Sequence, residues 1–417
     1  MPKIFINISR KYNKHDYYET SYNNLFKNHG IITYLFFDKN LSTEINQISN
    51  NSYTYVFYYN DKIDLINQLK LIKKSDIYYI NTFDEVIVLL VNEVKKELGF
   101  KISTHYEAFR DKKLQRQLLL EKYPNLTVSY HEIDLEKDEI DSFYNKLSFP
   151  YIIKPISGAQ SSGVVLINNK TQLEKYLENV DQLDKNLLDR GIDNKKYIIE
   201  EYIDGQMYTV NYYVDDNGKA NYSPTVKVNS SRNIGIDDFS NYVRISGNII
   251  DREISFEQVK IFLEKQIQTF GLKNTFIHHE FKLNSNGILK NIEINARIGG
   301  YRLEMMQNIY NFNLLEMPLG IEMNMNSDFS NAVFVFYPKT TGILNGFNEQ
   351  LLEQFKNLKS YTGCRISNQK IGHKVGPTKD GFSSLVALRL KNTDTEQFKH
   401  DYDFVESKYH ELIILDN

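Results

Sequence analysis

Residues 276–300, FIHHEFKLNSNGILKNIEINARIGG, constrain the fold more strongly than any other part of the chain. Two largely apolar segments, Phe276–Leu283 and Ile288–Ile294, flank the turn Asn284–Gly287, whose Asn-Gly pair favours a tight reversal. The stretch therefore predicts two adjacent strands joined in a β-hairpin, which can bring Glu280 and Glu293 close together.

Polar side chains converge on one face of this predicted hairpin. Alternation along a strand places His278 and Glu280 on one face, and Glu293 and Asn295 on one face of the second strand. Two carboxylates and an amide oxygen suit a hard divalent cation such as Mg²⁺, which keeps open positions for phosphate oxygens. Isoleucines flank Glu293, so its carboxylate needs a partner, and Arg297 follows at a distance from which a planar cation could face the metal. An ordinary hairpin whose polar face meets water is the alternative.

Composition excludes several classes of protein. The 417 residues suggest two to four domains, and the net charge of -3 lacks the basic footprint of a nucleic-acid binder. Cys364 is the single cysteine, which excludes an internal disulfide and a cysteine-based zinc cluster. The N-terminus lacks the apolar core of a secretory signal, and the apolar run Val86–Val91 is too short to span a bilayer. We therefore expect a cytoplasmic protein.

Residues 1 to about 105 alternate between strand and helix patterns. Such alternation predicts a parallel sheet with helices on its faces. No G-x-G-x-x-G follows the first strand, so a dinucleotide fingerprint is absent. Whether this region helps to hold a substrate or serves only as a platform stays open. The predicted strands are Lys3–Ile8, Ile31–Phe37, Tyr53–Tyr59 and Ile77–Ile80, and the predicted helices are Tyr17–Asn28, Leu65–Lys73 and Val86–Leu98.

Residues 149–167, FPYIIKPISGAQSSGVVLI, predict two apolar strands around a loop rich in Gly and Ser. Backbone N–H groups of such a loop can cradle phosphate oxygens while Lys154, at the end of the first strand, neutralises their charge. Gly158 and Gly163 have P-loop spacing, but two valines stand where Lys and Ser/Thr are required, which excludes a P-loop NTPase. A flexible hairpin loop without a ligand is the alternative.

Two further segments are less specific by themselves. Tyr106–Tyr123 predicts a helix with Lys112 and Arg116 on one face, and taken alone that face predicts a solvated surface. Tyr197–Val210, YIIEEYIDGQMYTV, predicts a strand, a turn at Gly205 and another strand. Its extended backbone could bind the edge of a purine, although many hairpins have the same pattern.

In this order, the segments around Lys112, Lys154 and EEYIDG, followed by H-x-E and E-x-N-x-R, resemble the ATP-grasp superfamily, specifically its carboxylate-amine ligases. The resemblance covers residues 105 to 320. It implies an α/β ATP-grasp fold with an N-terminal parallel-sheet domain, a lid subdomain, a catalytic subdomain and a β-rich C-terminal lobe. The expected boundaries are 1–105, 106–205, 206–325 and 326–417.

The resemblance also implies a role for each matching residue. ATP and Mg²⁺ are the implied cofactors, with Mn²⁺ as the other candidate cation. Arg297 would stabilise the phosphoryl group in transfer, while His278 would either orient the substrate or be a structural histidine. Met207 stands where the family often has a ribose-binding Glu, which puts ribose recognition in doubt. Lys112, Lys154, Ser161, Ser162 and Gly163 would contact phosphates, Glu200, Glu201 and Ile203 would lie along adenine, and Glu280, Glu293 and Asn295 would hold the metal.

Three arginines are candidates for binding a substrate carboxylate, because a guanidinium can bind one with two hydrogen bonds. They are Arg232, Arg244 and Arg302, with a surface location as the alternative for Arg232 and Arg244. The implied reaction is ATP-dependent joining of a carboxylate, an amino acid or short peptide, to an amine through an acyl phosphate. The alternatives are another ATP-grasp ligase or carboxylase, or a nucleotide-binding protein without turnover. The expected partners are small molecules, without nucleic acid or membrane, and a homodimer is compatible with these features.

Overall fold

The computed structural model describes residues 2–11, 16–42, 53–134, 149–158, 163–178, 196–378 and 384–416. Its N-terminal part is a parallel sheet in the order β3-β2-β1-β4, formed by β1 (Ile4–Ser9), β2 (Ile32–Asp38), β3 (Thr54–Tyr59) and β4 (Ile77–Asn81). The helices of this part are α1 (Asp16–His29), α2 (Lys62–Lys70) and α3 (Val88–Glu97). The predicted strand and helix alternation and the parallel sheet are confirmed.

A second, antiparallel sheet has the order β5-β8-β6-β7. Its strands are β5 (Tyr130–Asp134), β6 (Tyr151–Pro155), β7 (Val165–Ile167) and β8 (Lys196–Glu201), with α5 (Lys170–Glu178) on one face. Isoleucines and tyrosines from these elements form a small apolar core of their own. Ser161 and Ser162 lie outside the described residues. The helix α4 (Lys112–Lys122) precedes this sheet and begins at Asp111, whose side chain accepts a hydrogen bond from the Leu114 N–H.

The largest sheet has nine strands within the described ranges. Eight follow the order β14-β13-β9-β11-β12-β15-β19-β17, and β10 pairs with β9. Their bounds are β9 (Gln206–Val214), β10 (Ala220–Tyr222), β11 (Val226–Ser230), β12 (Asn241–Gly247), β13 (Thr275–Leu283), β14 (Leu289–Asn295), β15 (Ser330–Phe336), β17 (Tyr361–Ile366) and β19 (Val386–Asn392). The short helix α6 (Asn248–Asp251), together with α7 (Phe256–Phe270) and α8 (Arg302–Tyr310), completes this part of the fold.

The C-terminal part adds a three-stranded sheet in the order β18-β16-β20. Its strands are β16 (Gly342–Phe347), β18 (Lys374–Val375) and β20 (Ile413–Asp416), and its helices are α9 (Glu349–Lys356) and α10 (Thr395–Ser407). Strands β15, β17 and β19 come after the expected boundary at 325/326 but belong to the same sheet as strands that precede it. The four domain ranges stay a prediction. None of the helices in the described ranges is long and apolar enough to cross a membrane.

Candidate active site

The predicted hairpin forms as β13 and β14, and its register brings the expected residues together. Glu280 lies opposite Glu293, and His278 lies opposite Asn295, with a bulge after Glu280. Directly opposed residues of antiparallel strands have Cβ atoms about 4.5–5.5 Å apart. The two carboxylates and the amide therefore lie on adjoining positions of one sheet face.

Buried polar atoms without partners lie in a row across three neighbouring strands. Asn295 on β14, His278 on β13 and Asn211 on β9 are successive cross-strand neighbours. The Asn295 Oδ1, His278 Nδ1 and Asn211 Nδ2 atoms are buried and form no hydrogen bond with the described residues. A buried polar atom without a partner destabilises a fold, so this row is a candidate place for a ligand.

The surroundings of His278 favour a neutral imidazole. Burial lowers its pKa well below the usual value, and the neighbouring Arg302 and Arg297 cations lower it further. Its Nε2 lies 3.2 Å from a carboxylate oxygen of Glu280. A Cβ atom at position 299 would lie 2.4 Å from the ring, so Gly299 is required for the imidazole to sit where it does.

The two hairpin carboxylates have different surroundings. Burial raises the pKa of Glu280, and the Arg297 cation opposes that rise. Glu293 instead forms an ion pair with Lys112, whose Nζ lies 2.8 Å from Glu293 Oε1. Lys112 Nζ also donates to the Gly158 carbonyl at 3.2 Å, so one lysine joins the hairpin to the loop that follows β6.

Two side chains of α4 fix the helix against the edge strand β14. Gln115 accepts a hydrogen bond from the Ile294 N–H and donates one to the Ile294 carbonyl, each at 3.0 Å. Arg116 donates to the Ile292 carbonyl at 2.8 Å. Lys112 and Arg116 are buried, and Arg116 is 0% exposed. The solvated surface that this segment predicts when taken alone is wrong, because its cations pair with carboxylates that are distant in sequence.

The antiparallel sheet β5-β8-β6-β7, called the lid sheet here, contributes a second buried ion-pair network. Glu200 on β8 binds Arg116 Nε at 2.9 Å and also pairs with Lys154 on β6. Burial lowers the pKa of Lys154 to about 8, while the Glu200 carboxylate opposes that change. Burial alone would raise the pKa of Glu200, but Arg116 and Lys154 together hold it below its usual value. Each of the two predicted phosphate-binding lysines therefore forms an ion pair with a carboxylate, Lys112 with Glu293 and Lys154 with Glu200.

Arg297 is paired with a carboxylate that sequence reasoning missed. Glu85 Oε2 accepts hydrogen bonds from Arg297 Nη2 and Nε at 2.5 and 3.1 Å. Glu85 opens the short helix that follows β4 in the parallel sheet. Ligands commonly bind beyond the carboxyl ends of parallel strands, and an acidic residue there was the available signal. The N-terminal region therefore contributes to the site.

The structure separates the three candidate substrate arginines. Arg302 is buried and donates to Thr209 Oγ1 at 2.8 Å, and burial lowers its pKa to about 9, with Arg244 lowering it further. Neither Arg302 nor Arg244 forms an ion pair with a carboxylate among the described residues. Arg232 is not at this cluster, because it pairs with Asp237 at the edge of another cavity. That cavity has a volume of about 460 Å³ and is lined by Val165, Leu166, Asn168, Gln172, Lys175, Tyr176, Arg232, Gly235, Ile236 and Asp237.

The EEYIDG segment is fastened to the end of the hairpin. Lys282 Nζ donates to the Ile203 carbonyl at 2.7 Å and lies 4.8 Å from the centre of the Tyr202 ring. Gly205 adopts a positive φ of 81°, and a Cβ there would lie 2.1 Å from the Leu283 carbonyl oxygen. The side chain of Glu201 is exposed. The predicted contact of Glu201 with adenine would therefore be made by its backbone.

The residues around Asn295 fit a hard cation. The buried Asn295 Oδ1 lacks a donor, and the carboxylates of Glu280 and Glu293 are its neighbours on the same face. Oxygen atoms of this kind are the ligands that Mg²⁺ prefers. Among the described residues, no group of three or more His, Cys, Asp or Glu side chains is arranged to hold a metal ion. The candidate set has two carboxylates and one amide, and its role stays a prediction.

A family model described as the ATP-grasp domain matches residues 147–304, which include Lys154, the EEYIDG segment and the hairpin. The L-amino acid ligase from Bacillus licheniformis superposes with a TM-score of 0.75 at 18% identity, covering 100% of this chain and 99% of that one. The chain carries an ATP-grasp domain and has the ATP-grasp fold.

Other solved ATP-grasp structures resemble the chain over nearly its whole length. The N5-carboxyaminoimidazole synthetase from Staphylococcus aureus, complexed with ADP, has a TM-score of 0.66 at 14% identity and covers 97% of each chain. The biotin carboxylase from Campylobacter jejuni, in a β,γ-ATP complex, has a TM-score of 0.63 at 12% identity and covers 99% of this chain and 92% of that one. A sequence comparison with curated proteins finds no significant match. The solved structures that share this fold are thus enzymes with different titles, an L-amino acid ligase, an N5-carboxyaminoimidazole synthetase and a biotin carboxylase.

Proposed function

We propose that this ATP-grasp protein is a ligase that joins a carboxylate to an amine at the expense of ATP. The observation that carries the proposal is the unsatisfied polar row beside the hairpin carboxylates, which has three cationic side chains next to it. These are Lys112, Arg297 and Arg302. A pocket with metal-type oxygen ligands and several cations suits a polyphosphate and an acyl phosphate.

The nucleotide would lie between the lid sheet and the hairpin. Lys112 and Lys154 would exchange their carboxylate partners for phosphate oxygens, with Gly163 completing the loop that follows. The backbone of Glu201 and Ile203 would border the adenine, and Lys282 keeps that backbone in place. Glu200 would stay bound to Arg116 in this arrangement, and we assign it that pairing rather than a contact to adenine. The expected contribution of Ser161 and Ser162 stays a prediction.

Glu280, Glu293 and Asn295 would hold the divalent cation. A bound Mg²⁺ would draw charge from the phosphate oxygens as the terminal phosphoryl group is transferred. Arg297 presents a guanidinium to the same region, where developing negative charge is stabilised without reorganisation of the protein. His278, being neutral, can accept or donate one hydrogen bond without adding charge beside Arg302.

The chemistry needs no nucleophilic side chain. A carboxylate oxygen of the first substrate attacks the γ-phosphorus, and the bond to the β,γ-bridging oxygen breaks, so that ADP leaves. The amine nitrogen of the second substrate then attacks the acyl carbon, phosphate leaves with the electron pair of the C–O bond, and the proton that the nitrogen loses passes to the departing phosphate. Positioning and electrostatic stabilisation account for most catalysis in phosphoryl transfer, which is what the cations here can supply.

Amino acids or short peptides are the substrate class that we propose. Arg244 and Arg302 lie beside His278 and Arg297 and lack carboxylate partners among the described residues, so they can bind a carboxylate of an amino acid. The similarity to the L-amino acid ligase fold over the full length supports the same class.

A screen of amino-acid pairs with Mg-ATP tests the proposal. We expect ADP and phosphate to appear only when both an acid and an amine are present, with a product whose mass equals their sum less one water. ADP that forms with bicarbonate instead would favour a carboxylase. Nucleotide binding without turnover across a broad panel would favour a non-catalytic nucleotide-binding protein, for which Met207 is the supporting feature.

A further inference from the structure

A single buried carboxylate, Glu85, bridges two arginines where the N-terminal region meets the candidate active site. Glu85 is 7% exposed. One of its oxygens accepts both hydrogen bonds from Arg297, and the other accepts a hydrogen bond from Arg110 Nη1 at 3.0 Å. Both oxygens of Glu85 are therefore used, one for each guanidinium.

Arg110 continues the connection to the segment that follows β6. Its Nη2 donates to the Ser157 carbonyl at 3.0 Å, and its Nη1 donates to the Gly158 carbonyl at 3.3 Å. Lys112 Nζ donates to the same Gly158 carbonyl and pairs with Glu293. Two carbonyls next to the predicted phosphate loop are thus held by cations, and each cation is bound to a carboxylate of another region.

Arg297 depends on Glu85 for its orientation. An arginine side chain has several freely rotating bonds, and two hydrogen bonds to a carboxylate fix the plane of its guanidinium. Burial alone would lower the pKa of Arg297, but Glu85, followed by Glu280 and Glu293, raises it above the usual value. The pair is 15% and 8% exposed at its two side chains, so water competes only weakly for these bonds.

We propose that Glu85 is a positioning residue of the ligase: it sets the plane of the Arg297 guanidinium and, through Arg110, couples that arginine to the Ser157 and Gly158 carbonyls. The proposal rests on the proposed function and adds to it a residue from the N-terminal region. Glu85 acts through Arg297 and Arg110 and does not touch the reacting atoms. A merely structural role would change stability without a selective change in kcat.

A double-mutant cycle between Glu85→Gln and Arg297→Lys tests the positioning role. Residues that orient functional groups typically contribute about tenfold to hundredfold in activity. We expect Glu85→Gln to lower kcat by that amount and to leave the KM for ATP within about threefold. In the Arg297→Lys background, Glu85→Gln should add little, because residues that act as one unit are not additive. Two effects that multiply, or a normal kcat, would overturn the proposal.

Glu93→Gln is the matched control, since Glu93 pairs with Lys62 on the surface of the same region. It should leave kcat, the KM for ATP and the melting temperature unchanged. If Glu85→Gln does not fold, Glu85→Asp, which keeps the charge and shortens the side chain, takes its place in the cycle with the same expectations.

Hydrogen exchange gives a readout that does not depend on turnover. Backbone amides in residues 151–158 should exchange faster in Glu85→Gln than in the parent protein, while those in β14 should not change. Unchanged exchange in 151–158 would contradict the coupling even if activity fell. A parent protein that releases no ADP with any substrate pair would count against the proposed function alone, and the exchange result would still decide the role of Glu85.

Discussion

The two faces of strand β13 differ in how deeply they are buried and in how the histidine on each face is hydrogen-bonded. On the core face, Ile277, His279 and Phe281 are fully buried, and His279 binds Tyr212 Oη and Asn291 Oδ1 at 3.2 and 2.8 Å. On the opposite face, which lies at the candidate active site and is called the cleft face here, His278 has an unpaired Nδ1, and Glu280 has a side chain that is 20% exposed and a pKa that burial raises.

This difference shows how one strand serves both stability and chemistry. On the core face both nitrogens of His279 have hydrogen-bond partners and the neighbouring apolar side chains are fully buried, so substitutions there should change folding. The cleft face carries unsatisfied polar atoms and charges, so substitutions there should change binding or turnover and leave folding nearly intact. Four predictions test this division, ordered from the largest expected free-energy effect to the smallest.

Phe281→Ala should have the largest effect. The Phe281 ring packs against Phe262 and Tyr208 at centroid distances of 5.3 and 6.2 Å and is 0% exposed. Truncation of a buried phenylalanine typically costs about 3–5 kcal/mol of the free energy of unfolding. Urea unfolding measures the loss. A stable Phe281→Ala protein with impaired turnover would contradict the division of the two faces.

Glu293→Gln should reduce turnover while the protein stays folded. The substitution removes a charge from the proposed cation site and from Lys112, and loss of one such electrostatic group lowers kcat by about 100-fold to 1000-fold. ADP release under saturating Mg-ATP measures the effect, with Glu353→Gln on the exposed face of α9 as control. Near-normal activity would remove Glu293 from the metal site.

His279→Gln should lower the free energy of unfolding by about 1–2 kcal/mol near pH 7, because a buried hydrogen bond is lost. The substitution should also make the free energy of unfolding less dependent on pH. Burial lowers the pKa of folded His279 to about 3, against about 6.5 in the unfolded chain. The unfolded state therefore binds the proton first as pH falls. The stability that neutral His279 contributes to the parent protein is fully present above about pH 6.5 and is lost progressively as the pH falls toward about 3.

Urea midpoints at several pH values between these limits measure that slope. The slope should be shallower in His279→Gln but should not vanish, because the pKa of His278 is lowered in the same direction. An unchanged slope would show that His279 does not stay neutral in the folded protein.

Lys282→Met should have the smallest effect. It removes the hydrogen bond to the Ile203 carbonyl, and such a bond contributes about 1 kcal/mol, which corresponds to about fivefold in affinity. We expect the KM for ATP to rise by that factor with little change in kcat. Lys290→Met, which loses a hydrogen bond to the Thr127 carbonyl outside the EEYIDG segment, is the control. A large fall in kcat instead would place Lys282 at the reacting atoms.

Local patterns predicted the hairpin and the residues of each strand that share a face. Two-residue alternation placed His278 with Glu280 and Glu293 with Asn295, but the bulge after Glu280, which sets Glu280 opposite Glu293, was not predicted. Strand and helix alternation similarly predicted the N-terminal parallel sheet. These features depend on neighbours within a few residues, which is why the sequence alone could indicate them.

Pairing between distant residues could not be predicted in this way. The period of α4 is the same whether Lys112 and Arg116 face water or carboxylates, so only the tertiary contacts with Glu293 and Glu200 reveal that they are buried. Glu85 lies 212 residues from Arg297 in sequence, and no local pattern connects them. Arg232 lies away from Arg244 and Arg302 because its short helix, Ser231–Ile234, packs so that it pairs with Asp237, and no local pattern indicates this.

The contact at Gly205 limits how the chain can vary. Its backbone lies so close to Leu283 and Asn284 that a methyl group would overlap both residues, so the bend before β9 and the tip of the hairpin form one solid block. A lengthened tip would push directly on that bend. Tolerated insertions should therefore occur elsewhere on the surface, while the spacing between the purine-facing backbone and the acidic residues of β13 remains constant among functional variants.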